Sequence, residues 1–198
     1  MINTGQDCTA ATRAIVHRSV YAEFVAKVAA RFDGLVLGIP GGDTNADLGP
    51  LVSFKQRDHV AGMVDRARTY SKVMAGGYAP PTDEGLENGA FYRPTLVVDA
   101  APDSEIVKDE VFGPVLVVLP FETDDEAIHL ANDTVYGLAA SAWTNNLQRA
   151  LRATREIQAG CVWVNDHVPI VSEMPHGGFK QSGFGKDMSA TPLRSTPR

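Results

Sequence analysis

Apolar positions along the chain fall into two recurring patterns. From Tyr21, the residues Phe24, Val25, Val28, Ala29 and Phe32 recur at helical spacing and Gly34 follows, which predicts an amphipathic helix that stops at the glycine. Just ahead, Ala14-Ile15-Val16-His17 is short and β-branched in its middle, as a buried strand would be. Gly38-Ile39-Pro40-Gly41-Gly42-Asp43 reads as loop. Ser53 then caps a second helix through Val60, Met63, Val64 and Ala67. A strand at Lys72 to Ala75 ends at Gly76-Gly77, residues 78 to 90 form an exposed excursion, and a strand resumes over Phe91 to Val98. Further on, Val115 to Leu119 is a strand and Asp124 or Asp125 caps a short helix through Ala127, Ile128 and Ala131. Leu138 to Trp143 is strand-like, Leu147, Ala150, Leu151 and Ile157 mark a helix, and Cys161-Val162-Trp163-Val164 is a last strand. Strands alternating with helices predict an α/β layered fold, a mostly parallel sheet flanked by helices.

Composition narrows the partners. At 198 residues, of which 44% are hydrophobic, the chain buries one sizeable core and reads as one domain over residues 1–190. The final stretch, Thr191 to Arg198, has no periodicity and is expected to be disordered. Eighteen Lys and Arg against 24 Asp and Glu give a net charge of -6 with no basic run, which speaks against nucleic acid. The longest apolar stretch, Val111 to Phe121, is broken by Gly113, Pro114 and Pro120 and is too short to span a bilayer. Met1 to Gln6 has neither the basic start nor the apolar middle of a signal peptide, so the expectation is a soluble, cytoplasmic protein without a structural disulfide.

Two cysteines carry the candidate chemistry. Cys8 follows a glycine-containing loop and precedes a strand, where a turn could present its thiol beside backbone amides that favour the thiolate and hold an oxyanion. The residues alone favour an ordinary buried cysteine over this reading, since a free cysteine often packs as a small hydrophobe. Cys161 sits between apolar strand neighbours and reads as a packed core residue. His17, His59, His129 and His167 have no partner at a metal-ligand spacing, so no metal is expected.

The segment from Asn3 through Arg13, Asn-x-Gly-Gln-x-Cys-x-Ala-x-x-Arg, resembles the nucleophile motif of the aldehyde dehydrogenase superfamily. Glu110-Val111-Phe112-Gly113-Pro114 and the block from Pro175 to Gly185 follow in the family's order, with Asn132 to Ala139 and Trp163-Val164-Asn165 between them. The resemblance runs to about Ala190. It implies that the Cys8 thiolate attacks an aldehyde carbonyl, that the resulting thiohemiacetal gives up hydride to NAD, and that water hydrolyses the thioester. NADP remains open. Glu110 would accept hydrogen bonds from the nicotinamide-side ribose and Phe112 would pack against that ribose and ring, although a solvated surface acid is the alternative for Glu110.

Within the superfamily, the segments around Cys8, Ser172 to Gly178 and Gly185 to Ser189 are most similar to the aminobutyraldehyde and betaine aldehyde group. The implied substrate is an amino- or ammonio-aldehyde. Asp7, Thr9, Glu173 and His176 would line its channel, and either acid could meet the cationic end of the substrate. Both acids could equally be solvated or paired elsewhere.

Members of this family are expected to carry a dinucleotide-binding domain, a glutamate base and an oxyanion asparagine ahead of the cysteine, and this sequence begins seven residues before Cys8. It holds no Gly-x-Gly-x-x-Gly turn after a strand. Its Pro- and Arg-containing end stands where the family continues into a strand that pairs with a neighbouring subunit, which is expected to leave a sheet edge open. The sequence reading is therefore a catalytic-domain portion with little or no turnover alone, forming homo-oligomers or associating with full-length subunits. Two alternatives accompany it: a non-enzymatic remnant, and a Cys8-dependent esterase.

Overall fold

The computed structural model describes residues 1–39, 41, 46–81 and 85–189. Parts of the 38–43 loop and of the 78–90 excursion, and the whole of the 191–198 tail, lie outside the described residues. The chain divides into two compact units, Met1–Glu122 and Thr123–Arg198. The architecture is α/β with a mostly parallel sheet flanked by helices.

In the first unit, strands β1 (Arg13–His17), β2 (Lys72–Ala75), β3 (Thr95–Val98) and β4 (Val115–Phe121) form one sheet in the order β1-β4-β3-β2. β4 lies parallel to both neighbours, with Arg13 opposite Val117 on one side and Thr95 opposite Val115 on the other, whereas β2 runs antiparallel to β3. Alternate residues along β3 and β4 feed two cores, as the two-residue period of a strand requires. Leu96, Val98 and Val118 pack with Val25, Phe24, Val28 and Phe32 of helix α1 (Arg18–Asp33). Val97, Val115, Val117 and Leu119 pack with Val60, Met63, Val64 and Ala67 of helix α2 (Phe54–Ala67). Covered on both faces, β3 is buried at all four positions, which is why Leu96-Val97-Val98 runs apolar without alternation.

Helix starts follow local chemistry. Ser53 accepts a hydrogen bond from the Gln56 amide and opens α2 where the sequence placed it. His17 opens α1, its ring accepting from the Ser19 amide at 3.2 Å. The strand expected over Phe91 to Val98 is confined to Thr95–Val98, because Pro94 has no N–H to give a ladder and Arg93 bonds the Tyr78 carbonyl at 3.0 Å. Pro120 is tolerated inside β4 because β3 pairs only as far as Val117, so no second strand calls on its nitrogen. A single helical turn, α3 (Glu105–Lys108), is too short to leave a periodic signal and was not anticipated.

In the second unit, β5 (Ala139–Ala142) and β6 (Cys161–Val164) pair in parallel around helix α5 (Leu147–Glu156), with helix α4 (Asp124–Asn132) preceding them. The cap of α4 is Thr123, whose hydroxyl accepts from the Glu126 amide; the acids proposed as caps, Asp124 and Asp125, occupy the first turn instead, where the helix dipole favours them. There they meet α5, with Arg149 at 2.8 Å from Asp124 and Arg152 at 2.5 Å from Asp125. Among the described residues no helix is long and apolar enough to cross a membrane.

Candidate active site

Cys8 stands on a β-turn. The Ala10 amide bonds the Asp7 carbonyl at 3.0 Å, which puts Cys8 and Thr9 at the two central positions. Asp7 reinforces the turn: its Oδ1 accepts from the Thr9 amide at 2.8 Å and from the Thr9 hydroxyl at 2.5 Å. Thr9 is buried while Cys8 is exposed, so the turn anchors one central residue and presents the other's thiol. The reading of Cys8 as a buried hydrophobe is thereby overturned. Both cysteines are free thiols.

The segment leading to this turn is wound against its natural hand. Asn3, Thr4 and Gly5 all have positive φ, at 47°, 56° and 77°, a region disfavoured for residues with a β-carbon. Such backbone persists only where its surroundings hold it. The Thr4 hydroxyl donates to the Gly49 carbonyl at 3.0 Å, Asn3 Nδ2 donates to the Gln6 carbonyl at 2.8 Å, and Gln6 Oε1 accepts from the Val52 amide at 2.9 Å. Gly5 is pressed so closely on the 110–114 loop that a β-carbon built there would lie 2.1 Å from the Gly113 carbonyl oxygen.

That second loop holds the residues singled out as ribose contacts. Val111, Gly113 and Pro114 are buried, whereas Glu110 and Phe112 are exposed. Phe112 has φ at 50°, which turns the chain so that its ring stays outside. The Thr95 amide bonds the Pro114 carbonyl at 2.7 Å and fixes the loop to β3. From α2, Gln56 Nε2 donates to the carbonyls of Val111 at 3.2 Å and Phe112 at 2.9 Å. Cys8's loop and the Glu110 and Phe112 loop are therefore neighbours in the first unit, held on the N-terminal end of one helix.

Glu173 and His176 belong to the second unit. Glu173 is exposed in a turn, and His176 is half-buried, its backbone forming a two-way bridge with Asp187 at 2.8 and 2.6 Å. The glycines beside it pack backbone on backbone: a β-carbon on Gly160 would fall 1.5 Å from the Gly177 carbonyl oxygen. Cys161, in β6, is half-buried; burial pushes its thiol up, and Lys186 nearby only partly opposes that. Among the described residues no cluster of three His, Cys, Asp or Glu could hold a metal.

Sequence reasoning missed Gln6 and Gln56, the two side chains that tie the loops to α2 and to Val52 just ahead of its cap. Ser53-Phe54-Lys55-Gln56 has the spacing of a helix capping box, and that signal, pointing only to a helix start, masked a glutamine whose amide reaches another loop.

The profile of the aldehyde dehydrogenase family matches residues 1–196, and the chain belongs to that family. A betaine aldehyde dehydrogenase of Staphylococcus aureus, solved with NAD+, is 35% identical with a TM-score of 0.92 over 96% of this chain. An aldehyde dehydrogenase from Bacillus cereus is 39% identical with a TM-score of 0.91 over 98% of this chain. In each case the chain spans 38% of the length of the protein it matches.

Proposed function

We propose that this chain is the thiol-bearing catalytic portion of an NAD-dependent aldehyde dehydrogenase, with Cys8 as nucleophile. The observation that carries the reading is the exposed Cys8, presented by a turn whose leading segment packs on the loop that displays Glu110 and Phe112. The Cys8 thiolate would attack the aldehyde carbonyl carbon, forming a carbon–sulfur bond and leaving an oxyanion for nearby backbone amides to hold. When bound, NAD takes the hydrogen and electron pair that the aldehyde carbon gives up, while water supplies the acid's second oxygen. An exposed carboxylate two residues from an exposed ring suits a ribose, whose vicinal hydroxyls donate to Glu110 while Phe112 covers its apolar side. The same two residues would serve NADP, which shares that end of the cofactor.

The favoured substrate class is an amino- or ammonio-aldehyde. It is supported by the segments around Cys8 and Glu173 and by the similarity to a betaine aldehyde dehydrogenase. Glu173, exposed, is better suited to meet a cation than Asp7, which spends an oxygen on the Cys8 turn. Thr9 supports the turn from below, and His176 stands in the glycine block near Glu173. Two free thiols agree with a reducing compartment such as the cytoplasm.

None of the residues assigned here serves as a general base or grips a pyrophosphate, so little or no turnover is expected from these 198 residues alone. Association with itself or with full-length subunits is the second reading, favoured by large apolar side chains on the surface, Trp143, Leu147 and Phe184 among them. The deciding experiment offers p-nitrophenyl acetate to the purified chain. One equivalent of nitrophenol and a stable acetyl thioester on Cys8, both lost in Cys8→Ala, are expected. Repeated turnover would favour the esterase alternative, and no acetylation of Cys8 would refute a nucleophilic role. NADH formation from aminobutyraldehyde and NAD is expected not to exceed the Cys8→Ala control.

A further inference from the structure

The N-terminal end of α2 is in contact with both loops of the candidate site, and one side chain there bonds two adjacent carbonyls of the cofactor loop. Gln56 Nε2 is 3.2 Å from the Val111 carbonyl oxygen and 2.9 Å from that of Phe112. Phe112 holds a positive φ that its β-carbon makes unfavourable, so the loop needs an external tie to stay as it is. The rest of the support is rigid. Ser53 caps the helix by accepting from the backbone amide of Gln56 itself, and Val60, one turn further along, is fully buried in the core and lies where a β-carbon on Gly113 would strike it. One residue before the cap, the Val52 amide donates to Gln6 in the segment that leads to Cys8.

We propose that Gln56 is a positioning residue: its side-chain amide holds the 110–114 loop in the conformation that keeps Glu110 and Phe112 displayed, on the same helix end that braces the loop of Cys8. The purpose of that display rests on the aldehyde dehydrogenase reading above, whereas the hold on the loop does not. A half-buried amide with two carbonyl acceptors suits the task because neither acceptor can be replaced by a side-chain rotation elsewhere in the loop; both are main-chain atoms. Replacing the amide by a carboxylate removes its donors, and shortening the side chain removes its reach.

The test compares the full nitrogen-15 and methyl-labelled chain with Gln56→Met, of equal length without an amide, and Gln56→Glu, of equal shape without a donor at neutral pH. The backbone signals of Val111, Phe112 and Gly113 are expected to shift and broaden in both variants, while the methyl signals of Met63 and Val64 stay in place. Titration with NAD+, followed on the Phe112 amide, is expected to show about tenfold weaker binding in Gln56→Met, the scale of one lost hydrogen bond. Loop signals that superimpose on the parent chain would overturn the proposal, as would Met63 and Val64 moving as far as the loop, which would make Gln56 merely structural. Parent-chain loop signals that ignore NAD+ would instead refute the assignment of Glu110 and Phe112 to the cofactor, and the variants' shifts would still decide the role of Gln56.

Discussion

Gly5 and Gly113 meet backbone to backbone: a β-carbon on Gly5 would stand 2.1 Å from the carbonyl oxygen of Gly113 and 3.2 Å from the Pro114 nitrogen. No side chain can intervene, so the segment before Cys8 and the loop of Phe112 share one position. Gly5→Ala is therefore expected to do more than strain its own φ of 77°. Gly85 has nearly the same φ, 71°, with nothing within 4 Å of its β-carbon position, and isolates the conformational part. Urea unfolding should show Gly85→Ala costing about 1 kcal/mol. Gly5→Ala should cost about 1–3 kcal/mol more, because backbone must move to admit the methyl group. Equal losses at the two sites would mean that the loops are not held together as described.

The two cysteines should separate kinetically. Cys8 is exposed and open to the reagent, whereas Cys161 is half-buried and burial raises its thiol above the ordinary cysteine value. Iodoacetamide at pH 8 should modify Cys8 at least about tenfold faster. The Cys161 rate should climb only toward more alkaline pH. Cys8→Ala should remove the fast phase and leave the slow one. A single rate for both thiols would contradict their different settings.

How much of this was legible in the sequence depends on which interactions fixed each part. The helices at 18–33 and 54–67 and the strand at 13–17 were readable because their apolar spacing, a serine cap and a terminating glycine are local. Phe91 to Arg93 was misread as strand because Phe91 and Tyr92 are buried, and burial without a ladder looks the same in a sequence as burial within one. Cys8 was located by the surrounding motif, yet its exposure follows from the Asp7 and Thr9 turn and the supports at Gly49, Val52 and Gly113, more than 40 residues away. Gln56 looked like an ordinary helix-start residue because its acceptors lie 55 and 56 positions further on.

Asp7 offers a way to separate a structural from a substrate role. Asp7→Asn keeps an oxygen that can accept from Thr9, while Asp7→Ala removes it. If Asp7 serves the turn, Asp7→Asn should retain the Cys8 alkylation rate, and Asp7→Ala should change that rate and lower stability by about 0.5–2 kcal/mol, the cost of a lost local acceptor. If its charge serves a cationic substrate, Asp7→Asn alone should weaken binding of an ammonio-aldehyde analogue while leaving that of a neutral one unchanged. Titration of each variant with betaine aldehyde and with a neutral aldehyde of similar size distinguishes the two.

Tyr92 should set part of the alkaline limit of the fold. Its ring is buried and its hydroxyl has no hydrogen-bond partner among the described residues. Burial first, and Asp65 second, push the phenol from its ordinary value of 10.0 up to about 12, with Arg68 pulling the other way. Between those values the unfolded chain has lost the proton and the folded chain still holds it. The unfolded state then binds fewer protons, so stability falls as pH rises above 10, and it is unaffected by this group below that. Tyr92→Phe keeps the ring and removes the titrating group, so at neutral pH it should change stability by less than about 1 kcal/mol. At about pH 11 the variant should be more stable than the parent chain, though not free of alkaline loss, because burial also raises the Tyr21 phenol. Urea midpoints measured at both pH values give the comparison, and parallel loss in parent and variant would place the alkaline limit elsewhere.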